Sequence, residues 1–134
     1  MPEPDPVAVQ AHWERQAAEA QALRAGTATT LAVVATDAAL DKADCAKLAG
    51  VAHDGFARAL SPVHTGFDGD TVFALATPGE PAVDPFALVE LQTAAADCVS
   101  RAVVRAVLAA ESVDRRATGG AEMRSYRAAV SRRE

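Results

Sequence analysis

The apolar positions of this chain recur with two different rhythms. Residues 29–36 run Thr-Thr-Leu-Ala-Val-Val-Ala-Thr, and residues 72–77 run Val-Phe-Ala-Leu-Ala-Thr. Short runs of this kind, compact and led by β-branched or aromatic side chains, predict strands buried on both faces. Elsewhere the apolar residues return at helical spacing. Cys45, Leu48, Ala49, Val51, Ala52, Phe56, Ala59 and Leu60 make one broad stripe, which predicts a helix over 42–60 lying on a sheet face. Asp41, with Asp44 three residues on, suits its N-cap, and Ser61-Pro62 stops it. Asp84-Pro85, a cap followed by a first-turn proline, opens a second helix that the stripe from Leu88 to Val107 carries to about Ser112. Ahead of the first strand, Val9, Trp13, Ala17, Ala20 and Leu23 predict a modest amphipathic helix over 7–23, ended by Gly26. Its apolar face is thin, so it is expected either to dock on something outside the chain or to lead loosely into the strand.

Strand, helix, strand, helix is an α/β order. Two strands that are apolar throughout cannot cover their own faces, so more chain or other subunits are expected to complete the sheet. Composition narrows this further. At 134 residues one domain is the limit, and with 50% hydrophobic but only 4% aromatic residues the core must be closely packed Ala, Val and Leu. A net charge of −5 offers nucleic acid no general attraction, and no stretch approaches the roughly 20 apolar residues that cross a bilayer. Met-Pro-Glu-Pro-Asp-Pro at the start lacks the basic and apolar segments of an export signal and reads as a frayed tail or a cut end. Cys45 and Cys98 read as buried free thiols, and a cytoplasmic protein is expected. The arginine-rich residues 114–134 read as a solvated tail with Tyr126 docked.

Two stretches carry candidate chemistry. Thr29 and Thr30 stand at the mouth of the first strand, where a hydroxyl on a rigid element is either a nucleophile or a residue of good β propensity. The loop before the second strand holds His64, Thr65, Asp68, Gly69 and Asp70. Side chains two apart on an extended segment share a face, and Gly69 leaves room for close approach, so both carboxylates are expected at one site. An acidic turn is the plainer reading of that loop. A metal site of His64, Asp68 and Asp70 lacks a further cluster to complete it, and His53 reads as a structural or surface residue.

Taken together, 29–37, Ala52-His53-Asp54-Gly55, Pro62-Val63-His64-Thr65 and 67–74 resemble the carboxy-terminal part of the self-processing aminopeptidase family. That family includes L-aminopeptidase/D-esterases, β-aminopeptidases and nylon-oligomer hydrolases. The resemblance covers about Gly26 to Ser112 and implies a layered α-β-β-α sandwich, of which this chain supplies about half: two core strands and two covering helices. It implies a precursor that cuts itself between Ala28 and Thr29, leaving Thr29 as an N-terminal nucleophile that works through an acyl-enzyme. Asp68 and Asp70 would orient Thr29 or its amine and hold the substrate's amino group, with His64 and Thr65 as substrate-binding residues. On this reading residues 1–25 are the tail of an α portion, 26–113 the β-chain region and 114–134 a tail. The implied partners are the α portion of the same hydrolase, a peptide or small amide substrate, and further αβ units in a homo-oligomer. No cofactor, metal, nucleic acid or membrane is expected. The family's lysine and asparagine lie in the α portion, and Ala28 stands where nylon-oligomer hydrolases carry asparagine. The alternative is a truncated, non-catalytic α/β assembly module.

Overall fold

The computed structural model of the chain describes residues 4–20, 29–80 and 83–130. In chain order its elements are α1 (Pro6–Ala20), β1 (Leu31–Ala39), α2 (Lys42–Ala57), β2 (Thr71–Thr77), α3 (Pro85–Ala109), β3 (Val113–Asp114), β4 (Glu122–Met123) and α4 (Tyr126–Val130). They divide into two compact units, Ala25–Val104 on the one hand and Met1–Arg24 with Arg105–Glu134 on the other. The predicted Leu23, the helix-ending Gly26, and Ala28 and Pro81 lie outside the described residues.

In the first unit β1 and β2 pair in parallel with α2 as the crossover, and the register matches Leu31 with Thr71 and Val34 with Ala74. That pairing sorts the side chains by parity. Ala32, Val34, Val72 and Ala74 face the helices, where Val34 and Val72 join Leu48, Ala52 and Phe56 of α2 and Ala95 and Val99 of α3 in one core. Leu31, Val33, Phe73 and Leu75 stand on the other face, each more than half exposed. Among the described residues the helices thus cover one face of the sheet and leave the other open. Both parities are apolar, so the chemistry alone does not say which face the helices take.

Local chemistry sets the helix ends. The Asp44 N–H donates to the Asp41 carboxylate at 2.8 Å, and the Phe86 N–H to the Asp84 carboxylate at 2.9 Å, so each aspartate satisfies a donor of a first turn. α2 stops at Ala57 rather than Leu60, in a turn that bonds Leu60 N–H back to the Phe56 carbonyl, and α3 stops at Ala109. The two helices touch at Gly55, where a Cβ would meet the Ala96 carbonyl oxygen and lie 2.7 Å from Val99 Cβ. Only glycine allows so close a crossing. An ion pair between Arg58 and Asp97 links the same helices at the surface. The cysteine expectation is also corrected: Cys98 is exposed on the outer side of α3 and Cys45 is half-buried.

In the second unit α1 packs against α4, so the first helix docks within its own chain, and Ala129 is buried there. In the arginine-rich segment, residues 114–123 are exposed but folded. β3 and β4 form an antiparallel hairpin pairing Val113 with Met123 and Asp114 with Glu122. Arg116 spans it, 2.9 Å from Asp114 Oδ1 through Nε and 3.4 Å from Glu122 Oε2. Tyr126 is half-buried.

Candidate active site

A parallel pair brings the amino ends of both strands to one edge of the sheet. At that edge Thr29 and Thr30 lead into β1, and the 61–70 loop leads into β2, with the Thr71 N–H donating to the Thr30 carbonyl at 2.9 Å. Asp70 lies between the two. Its Oδ1 accepts the Thr30 N–H at 2.9 Å, and its Oδ2 lies 3.1 Å from Nδ1 of His64. A carboxylate offers only acceptors, so this nitrogen carries the proton of a favourable contact.

His64 holds its place through both backbone and ring. Its φ of 55° is left-handed, an uncommon conformation for a residue with a Cβ. Its ring centroid is 5.0 Å from that of His53 and 6.3 Å from that of Phe56, the fully buried aromatic of α2. His53 in turn meets the Phe56 ring edge-on at 5.6 Å.

Burial pushes the Asp70 carboxyl up, since its side chain is only 7% exposed, but the hydrogen bonds outweigh burial. The Thr30 N–H and hydroxyl, with the His64 imidazole and main chain, hold it below the ordinary aspartate range. A depressed folded-state pKa adds stability that is complete above the unfolded-state value and is lost as pH falls through the folded one. Urea midpoints of the complete protein are therefore expected to fall as pH drops below about 4, and Asp70→Asn is expected to flatten that fall. An unchanged acid slope in the variant would remove Asp70 as its source.

Asp68 serves the loop itself. Its Oδ2 accepts the Thr65 N–H at 2.7 Å while its own N–H donates to the Thr65 carbonyl at 3.1 Å, and Thr65 Oγ1 accepts from the Phe67 N–H at 3.3 Å. The hydrogen bonds of the two aspartates thus go to different neighbours, Asp68 to Thr65 and Asp70 to Thr30 and His64. Between them, the space kept open by Gly69 is filled. Thr29 Oγ1 lies 2.7 Å from where a Gly69 Cβ would stand. Thr29, Asp68 and Asp70 are gathered at one edge, with Thr29 exposed and seated on the glycine. Ala28, the other half of the expected cleavage bond, lies outside the described residues. His53 and Phe56 back the site, although the sequence marks them only as members of the α2 face. Their spacing of three puts them on one helix face, but which loop meets that face is a tertiary fact.

A model of peptidase family S58 matches residues 5–119 of this sequence. The chain belongs to peptidase family S58. An uncharacterized aminopeptidase of Mycobacterium leprae is 49% identical over 96 residues, covering 63% of this S58 chain and 26% of the relative. Uncharacterized aminopeptidases of Mycobacterium bovis and Mycobacterium tuberculosis are 48% identical over 97 residues, covering 63% and 28%. The resemblance to aminopeptidases read from the strand, the His64-Thr65 loop and the Asp-Gly-Asp motif is borne out at the level of the family. The S58 chain spans about a quarter of the length of the curated relatives it matches. No helix among its described residues is long and apolar enough to cross a membrane. Those residues also hold no group of three or more His, Cys, Asp or Glu that could bind a metal ion.

Proposed function

We propose that this chain carries the nucleophile-bearing β-chain region of an N-terminal-nucleophile aminopeptidase or amide hydrolase, a region released by self-cleavage before Thr29 and completed by an α portion. One observation carries the reading: the Thr29 hydroxyl lies against Gly69, the residue that separates Asp68 from Asp70 in the chain, at the edge where both strands begin. In self-cleavage the hydroxyl attacks the Ala28 carbonyl carbon, the peptide nitrogen leaves as the α-amine of Thr29, and water then hydrolyses the ester. That amine, with an ordinary pKa of about 8, next serves as the base. It takes the hydroxyl proton as Thr29 attacks a substrate amide and returns it to the leaving amine, and water opens the acyl-enzyme.

Asp70 orients this centre through the peptide that follows Thr29, and Asp68 shapes the loop that would meet the substrate's amino group. His64 and Thr65 line the same loop. The α portion would bring the donors that stabilise the oxyanion. It would also lay a second sheet on the open face of Leu31, Val33, Phe73 and Leu75, giving the layered α-β-β-α sandwich. Residues 1–25, 26–113 and 114–134 are then the end of the α portion, the β-chain region and a carboxy-terminal extension. Such αβ units would associate as homo-oligomers in the cytoplasm.

Intact mass and N-terminal sequencing of the complete protein test the reading. Two copurifying chains are expected, the shorter beginning at Thr29. One uncut chain without amide turnover would favour the non-catalytic assembly module.

A further inference from the structure

The contacts of Asp70 extend beyond the proposed nucleophile and its motif. The Thr30 N–H belongs to the peptide group joined directly to Thr29, so whatever fixes the acceptor of that N–H also fixes how Thr29 is presented. Building on the hydrolase reading above, we propose that His64 is a positioning residue for Thr29: its imidazole holds one oxygen of Asp70 so that the other stays on the Thr30 N–H.

Three features support this role. The Asp70 side chain is nearly buried, so without His64 its Oδ2 would lose a partner in a place that water reaches poorly. The His64 main chain adopts a left-handed conformation, uncommon for a residue with a Cβ, while its part-exposed ring keeps Nδ1 on Asp70. The ring is also backed by His53 and Phe56, both from α2. The titratable groups facing the imidazole are Asp70 from the segment before β2 and His53 from α2, and Phe56 is the apolar wall. Substrate contact is not needed, because the effect passes through Asp70.

The test uses the complete protein, with self-cleavage followed by mass and turnover followed on an amino-acid anilide. His64→Gly keeps the left-handed backbone and removes the imidazole, whereas His64→Asn tolerates that backbone and places an amide N–H where Nδ1 stood. His64→Gly is expected to slow self-cleavage and lower kcat by about 10-fold, the scale of one hydrogen bond to a charged group, with KM little changed. His64→Asn is expected to recover most of that loss. In His64→Gly the acid limb of kcat should move to higher pH, because His64 is among the groups that hold the Asp70 carboxyl down. A residue that merely supports the fold would reduce the amount of folded enzyme and leave the limb in place. Wild-type kcat and pH profile in His64→Gly, no recovery in His64→Asn, or a raised KM at unchanged kcat would each overturn the inference. Thr29→Ala, run beside them, separates the two claims. If Thr29→Ala is inactive and His64→Gly is normal, only the positioning role fails; if Thr29→Ala stays active, the hydrolase reading fails.

Discussion

Thr29→Ala in the complete protein is expected to leave the precursor uncut and to lower amide hydrolysis by about 10⁴-fold or more. The size follows from what is lost. In the proposed mechanism the same oxygen forms both the ester of self-cleavage and the acyl-enzyme, so no step survives its removal. The neighbouring hydroxyl is a poor substitute, because the Thr30 side chain is engaged with the Asp70 carboxylate. Thr29→Ser, which keeps the hydroxyl, should restore processing. Precursor mass and anilide hydrolysis read both outcomes, and normal cleavage with normal turnover in Thr29→Ala would end the hydrolase proposal.

The second large effect is expected at Gly69. A Cβ there would stand 2.7 Å from Thr29 Oγ1, while the next atoms, Thr29 Cβ and Cγ2, are 3.8 Å away. The obstruction is thus the tip of one side chain, which can rotate aside without disturbing the backbone. Gly69→Ala is expected to keep the fold and its thermal midpoint but to displace the hydroxyl, and a misplacement of about 1 Å in a reacting group can cost about 100-fold in rate. Gly55 makes the contrast. Its Cβ would meet the Ala96 backbone, which can give only if the helices part, so a side chain there acts on stability instead. Measuring kcat and melting temperature of Gly69→Ala together checks the argument. A wild-type rate would mean that the glycine does not seat the nucleophile, and a collapse in melting temperature would mean that it serves the fold.

Much of the local structure was legible in the residues. Both strands, both covering helices and the Asp41 and Asp84 caps occur within a few residues of where periodicity and capping chemistry place them. The differences have physical causes. The helix over 42–60 ends early because the turn at 58–60 takes over its last hydrogen bonds. Cys98 lay on a plausible stripe, but a helix stripe of small residues is wide enough to leave one edge in solvent. The segment after Asp114 gave no apolar periodicity and folds by short-range polar contacts, with Arg116 reaching Asp114 and Glu122 across a two-residue-strand hairpin.

By itself, then, the sequence determined the elements and the residue types offered for chemistry: hydroxyls before β1, and His64 and two aspartates around a glycine before β2. These depend on neighbours a few residues apart, which any window of the chain contains. The tertiary structure decided which of them meet. Thr30 and Asp70 are 40 residues apart and bond because parallel pairing brings both strand starts to one edge. The same pairing chose the face that the helices cover, sent the two carboxylates to different partners, and set the Thr29 hydroxyl over Gly69. Contacts of that kind arise from packing and register, which depend on the whole unit at once and leave no local periodicity to read.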